Sequence, residues 1–349
     1  MAKLFSRKKT VDNPDLPAPH TTPYPDDEEL RNAYRLAGKS GFKATVQLME
    51  LISTTANAER RHELTLAASK GHVDTYGTGT AGMLRLWLKE NPRSAAGWTL
   101  LGAIDSGRAG QTRGAWRASE TKQKKLEAFA QMQTEAETPL WHAVELDPAD
   151  PNPWVFLISC VLGRGGSPQQ IAETVTERWR EATARAPGHL GGDLRAYTAL
   201  LPKWGSPPEV VESFVDYHRQ SAVNGSAQNL IVLWRHVEYV CWELDTNELG
   251  SHSETVANYL HRPEVQADAR AAIARWWHPD GVDPRRRLLG HNLAAFWYSF
   301  SGDHAQAWPH FEATCGSYLD GPWEAAWGDG AAIYDHYRRL AYRAVGGSM

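Results

Sequence analysis

Leu140-Trp141-His142-Ala143-Val144-Glu145-Leu146-Asp147-Pro148-Ala149-Asp150-Pro151-Asn152-Pro153-Trp154 reads as the end of one amphipathic helix, a proline-marked turn and the start of a second helix. Proline lacks a backbone donor and its ring collides with the preceding turn, so Asp147-Pro148 stops the first helix. Ala143 is a small packing position and Leu146 an apolar one, and Trp154 opens the next helix six residues after Pro148. The segment predicts two antiparallel helices in close contact.

The same punctuation recurs. Pro92 stands six residues before Trp98, as Pro148 stands before Trp154. Helix stops are expected at Asn91-Pro92, Asp147-Pro148, Ala186-Pro187 and Gly316. Helix starts are expected at Ser167-Pro168-Gln169-Gln170 and Ser206-Pro207-Pro208-Glu209. In each, a serine hydroxyl and a returning Gln or Glu can satisfy open backbone donors. Apolar residues follow a 3.6-residue period at Thr45, Leu48, Met49 and Ile52, at Met83, Leu84, Trp87 and Leu88, and at Val210, Val211, Phe214 and Val215. No stretch alternates with period two, so the expected fold class is all-α, without strands. Residues 1–25, basic and then proline-rich, are expected to be a disordered tail, and residues 26–346 a single helical-repeat domain.

Aligned on the prolines, Trp98, Leu101 and Gly102 satisfy W-x2-L-G. Ala136, Leu140 and Ala143 take small, large and small positions before Pro148, and Trp179 and Ala182 take the last two of these before Pro187. Leu162-Gly163, Tyr298, Ala307 and Phe311 match further positions. On these residues the chain resembles the tetratricopeptide superfamily of helical-hairpin repeats, over roughly residues 80–190 and 290–318. The resemblance implies a right-handed α–α superhelix with a concave groove that binds a protein or peptide. The register is degenerate. Pro92 and Pro148 are 56 residues apart and Pro148 and Pro187 are 39 apart, against a repeat of about 34. Residues 111–137 look like an inserted or lengthened helix. The segment Leu201-Pro202-Lys203-Trp204-Gly205-Ser206 is also similar to one in uncharacterised bacterial helical proteins.

Composition narrows the partner. A net charge of −4 gives no field for nucleic acid or an anionic membrane, and no apolar run spans a bilayer. Three scattered cysteines fit a reducing cytosol, and the N-terminus has no apolar core for a secretory signal, so a cytoplasmic location is expected. The abundance of Ala, Arg, Gly and Trp suits a bacterial source.

Signals for chemistry are sparse. Gly77-Thr78-Gly79-Thr80-Ala81-Gly82 fits GxGxxG but follows no strand, and reads as a loop leading into a helix. His236, Glu238, Cys241 and Glu243 crowd one segment, but a helix places His236 and Glu238 on different faces. His304, His310 and His336 converge only if the terminal hairpins pack together. Cys160 sits in an apolar run and reads as core. No catalytic, cofactor or metal residues are expected.

The residues assigned to partner binding are Arg285, Arg286 and Arg287 at the head of a helix, Asn292 and Trp297 within it, and Arg338 and Arg339 near the C-terminus. Guanidinium groups there would grip carboxylates, and of the dense set Trp276, Trp277, Trp297, Tyr298, Trp308, Trp323, Trp327 and Tyr334 some rings would line the groove as anchors while most pack the core. The leading expectation is an adaptor or scaffold. A ligand-sensing regulator and an enzyme with a dispersed site are the alternatives.

Overall fold

The computed structural model describes residues 16, 18–21, 24, 27–39, 41–73, 79–114, 121–163, 165–243, 252–278, 287–319, 321–323 and 329–347. The described residues are helical, joined by turns, with no strand; the only pairing outside helices is a single parallel bridge between His20 and Ser317. No described helix is long and apolar enough to cross a membrane. The chain forms two compact units, residues 23–214, and residues 215–349 with residues 1–22.

The first unit holds α1 (Glu28–Ala37), α2 (Phe42–Thr54), α3 (Ala58–Val73), α4 (Gly79–Glu90), α5 (Ala95–Arg113), α6 (Gln123–Leu146), α7 (Asn152–Cys160), α8 (Pro168–Arg185) and α9 (Leu190–Ala199). The next helix, α10 (Pro208–Ser221), spans the boundary at Val215. The stops expected at Pro92, Pro148 and Pro187 fall just beyond α4, α6 and α8. At Ser167 the reciprocal cap forms. The serine hydroxyl accepts from the Gln170 N–H (3.2 Å), and the Gln170 side chain accepts from the Ser167 N–H (2.9 Å). The Ser206 hydroxyl is buried and donates to the Ala199 carbonyl. In the glycine-rich stretch, Gly79–Gly82 already belong to the first turn of α4, and the Thr80 hydroxyl donates to the Ala37 carbonyl; Gly77 and Thr78 lie outside the described residues. Only part of the stretch expected to be an inserted or lengthened helix is described. It contributes to α6, which runs for 24 residues.

Two apolar cores fill this unit. One joins α1 to α5 through Leu36, Leu48, Ile52, Leu64, Leu84 and Leu100. The other joins α5, α6 and α7 through Ala103, Ala136, Leu140, Phe156, Leu157 and Cys160. Between α5 and α6 the backbones come close at Gly102, where an added Cβ would fall inside contact distance of the Leu140 side chain and the Ala136 carbonyl. Gly163, after α7, is likewise pressed on Gln133. Beneath this hairpin, Arg178 of α8 pairs with Glu137 of α6 (3.0 Å), both buried, and donates to the Leu157 carbonyl of α7. The junction between α6 and α7 is aromatic. Trp141 and Trp154 meet edge to face (5.3 Å), Arg185 lies over Trp154 (4.9 Å), and its Nε donates to the Pro148 carbonyl.

The second unit holds α11 (Asn229–Glu238), a π-helical turn (Tyr239–Glu243), α12 (His252–Leu260), α13 (Pro263–Trp276), α14 (Arg287–Phe300), α15 (His304–Thr314) and α16 (Gly330–Ala344). Helix α11 packs on α13 and α14, and α15 packs on α14 and α16. Trp276, Trp297, Trp323 and Tyr334 are its largest buried side chains. His20, within the stretch expected to be a tail, donates its N–H to the Gly316 carbonyl (3.0 Å) and accepts from the Tyr318 N–H (3.1 Å), and Leu16 is buried. A single bridge leaves no periodic trace in a sequence.

The hairpin contact gives a paired test. Gly102→Ala is expected to lower the unfolding free energy by about 1–3 kcal/mol through overpacking, despite alanine's helix propensity. Gly110→Ala, in the same helix but facing open space, is expected to raise it by about 0.5–1 kcal/mol. Urea unfolding of both variants measures the difference.

Candidate binding cleft

An open cleft of about 820 Å³ lies on α4, α5 and α6 of the first unit. Its walls follow from helix periodicity. On α5 the lining positions are Trp98, Leu101, Asp105 and Arg108, and on α6 they include Met132, Glu135, Pro139 and His142. Both sets step by three, four and three residues, so each is one stripe on one helix face. The helices run antiparallel, since Trp98 meets His142 (4.9 Å) and the Thr112 hydroxyl meets the Met132 sulfur (3.5 Å).

Leu101 and Pro139 are buried in the floor. Pro139 has no backbone N–H to leave open toward the cleft. The Trp98 indole N–H donates to the Pro92 carbonyl (2.9 Å), which fixes its ring. Trp141 keeps 37% of its surface exposed at one end, with the buried Arg178 guanidinium 5.7 Å from its ring centre.

Charges of both signs line the walls. Asp105 lies between Arg85 of α4 (2.8 Å) and Arg108 (3.7 Å), and His142 contacts Glu145 (3.4 Å). Arg85 remains about half exposed. The lining thus offers aromatic area, donors and acceptors, and carries no excess of positive charge for a polyanion.

The repeat positions read from the sequence lie around this cleft. Trp98 and Leu101 line it, while Gly102, Ala136, Leu140 and Ala143 form the seam behind it. Trp154 and Pro148 sit at the α6–α7 junction. Ala182 is buried, and Pro187 follows the end of α8. The Trp179 indole N–H donates to Asp193 (2.8 Å), and its ring meets Phe214. Arg85, Asp105, Arg108, Glu135 and Pro139 were not singled out from the sequence. On α5 the signal is the stripe itself, where Asp105 and Arg108 share a face with Trp98.

Of the residues expected to form a basic site on α14 and α16, most of those described lie in the interior. Arg285 and Arg286 lie outside the described residues, as does Trp327, and Arg287 is exposed at the first position of α14. Asn292 and Trp297 are fully buried. The Asn292 side-chain oxygen accepts from the Leu319 N–H (3.1 Å) and the Trp323 indole N–H (2.9 Å), so it satisfies interior donors. Arg338 is buried against Asp335 (2.7 Å), and Arg339 donates to the other oxygen of that carboxylate (2.7 Å). Tyr298, Ala307 and Phe311 are buried in the same unit.

No group of three or more His, Cys, Asp or Glu able to hold a metal occurs among the described residues. Cys160 is buried, and burial together with the Glu137 charge pushes its thiol up to about 12, so it stays a core thiol. No protein-family model matches the chain, and no curated protein or solved structure matches it.

His310, considered from the sequence as part of a histidine cluster, instead pairs with His291 (Nδ1 to Nδ1, 3.0 Å) among Trp276, Trp277 and Tyr298. Burial, with the Arg287 charge, pushes His291 down to about 4. Burial, with His291 beside it, pushes His310 down to about 3. Both native values lie below the unfolded 6.5, so the unfolded chain binds protons that the native state refuses. Stability is complete above about pH 6.5 and falls as pH drops toward 4, by roughly 3 kcal/mol for His291 alone. Denaturant unfolding followed by tryptophan emission between pH 7 and 4.5 measures the loss. His310→Leu is expected to remove its own share of the loss and leave the His291 share.

Proposed function

We propose that residues 23–214 are a tetratricopeptide-like module whose α4–α5–α6 cleft holds an extended segment of a partner protein, and that the chain works as a cytoplasmic adaptor. In this reading α5–α6 and α7–α8 are consecutive hairpins of a right-handed superhelix. The observation that carries it is the coincidence of the repeat register with the cleft. The positions that close the hairpin also put Trp98, Leu101 and Trp141 on one open surface. Aromatic side chains at the centre of such a surface carry most of the energy of peptide binding, and flanking charges fix register. Paired guanidinium and carboxylate groups of both signs suit a polypeptide better than a nucleic acid.

The test is affinity purification of the tagged full-length chain from its own cells, followed by measured affinity for the recovered partner. Trp141→Ala and Arg108→Glu are expected to weaken binding by about tenfold or more. A surface control, Val223→Ser, at a side chain 70% exposed and not among those that line the cleft, should leave it unchanged. Equal affinity in wild type and both cleft variants would refute the assignment.

A further inference from the structure

The residue-215–349 unit carries a second arrangement that the binding reading leaves unused. Four helices bring Arg219 (α10), His236 (α11), Tyr259 (α12) and Asp268 (α13) into one chain of hydrogen bonds. Arg219 holds the Asp268 carboxylate with two nitrogens (3.0 and 2.9 Å). Asp268 faces His236 Nε2 (3.0 Å), and His236 Nδ1 faces the Tyr259 hydroxyl (2.7 Å). Burial opposes ionisation of Asp268, but its bonds to His236 and Arg219 prevail and hold it at about 2. It is therefore a carboxylate, which only accepts, so in the base form of the ring the single proton sits on Nε2. Nδ1 is then left as an acceptor and Tyr259 must donate. The imidazole is fixed in the tautomer that makes it a base toward that one hydroxyl.

The surroundings hold this order. The His236 ring packs against buried Trp297 (5.4 Å). The Arg262 guanidinium lies 5.6 Å from the Tyr259 ring centre, the Tyr239 ring 4.6 Å away, and Arg235 lies over Tyr239 (5.4 Å). Tyr239 opens the π-helical turn that follows α11, and such turns recur at functional sites. Tyr259 itself is partly exposed.

We propose that Tyr259, His236 and Asp268 form a catalytic relay in which the Tyr259 phenol attacks an ester carbonyl and His236 is its general base. Nucleophile, base and orienting carboxylate stand in the order that acyl transfer requires. The Tyr259 Oη–carbon bond forms as the phenolic proton passes to His236 Nδ1. The tetrahedral intermediate then collapses, the bond to the leaving alcohol breaks, and that alcohol takes the proton. Water attacks the resulting aryl ester with His236 again as base, which releases the acid and restores the phenol. No electrons are gained or lost. Asp268 is a positioning residue that stabilises the imidazolium formed in each half.

The experiment uses the full-length protein and two probes. An arylsulfonyl fluoride loses fluoride as the phenol oxygen bonds to sulfur, and peptide mapping reads the site. Tyr217, 49% exposed, is the reference phenol in the same molecule. Tyr259 is expected to be labelled at least about tenfold faster than Tyr217, and His236→Gln to remove that excess. Asp268→Asn should move the pH midpoint of the Tyr259 rate down by about one unit or more, an effect that loss of packing alone does not produce. With p-nitrophenyl acetate, wild type should release p-nitrophenolate in a burst that Tyr259→Phe lacks. Labelling of Tyr259 no faster than Tyr217 in the wild-type protein, or equal ester cleavage by wild type and Tyr259→Phe, overturns the proposal.

Discussion

The first unit turns on the approach of α5 to α6 at Gly102. With no side chain there, Leu140 and the Ala136 carbonyl move into the space a Cβ would take. Two helices that close share a continuous apolar seam, and that seam sets the angular position of every other residue on both. Trp98, Leu101, Asp105 and Arg108 then face His142, Pro139, Glu135 and Met132 across the cleft. A larger residue at 102 would separate the helices and turn both stripes apart, because packed interiors resist small volume changes. The cleft thus follows from the hairpin contact.

Buried charge supplies a second constraint. Glu137 with Arg178, Asp335 with Arg338, and Asp268 with Arg219 each set a partly or wholly buried carboxylate against a guanidinium. Removing a charge from water is costly, and attraction inside offsets that only when geometry is good and the remaining polar atoms are bonded. Arg178 meets this demand by donating also to the Leu157 carbonyl, so one guanidinium ties α8 to both α6 and α7. A displaced helix would leave the opposite charge buried and alone. These contacts therefore select one arrangement among the many that apolar packing alone would tolerate.

What could be read from the sequence and what could not divide along the same lines. Stops at Pro92, Pro148 and Pro187 and the cap at Ser167 are local events, written within a few residues of where they act. The small–large–small pattern at Ala136, Leu140 and Ala143 marked a seam because helix spacing fixes which residues share a face. In the sequence alone, an asparagine and an indole beside a run of arginines, as at Asn292 and Trp297, suit a binding face as well as a core. Their burial depends on Trp323 and Leu319, more than twenty residues away. The relay residues, at 219, 236, 259 and 268, come from four helices with no common spacing, so no local pattern announces them.

The histidines of the second unit show how environment assigns roles to one side chain. Burial holds His218 at about 4, and it holds His291 and His310 lower than free imidazole as well. His291 and His310 also oppose each other's charge. They serve as neutral packing groups beside aromatic rings. His236 is also nearly buried, yet one nitrogen faces a carboxylate that is itself held by an arginine, and the other faces a phenol. A base must become a cation during its work, and only a site that stabilises that cation lets burial and proton transfer coexist. Asp268 is what separates His236 from His291 and His310, and it acts from a different helix.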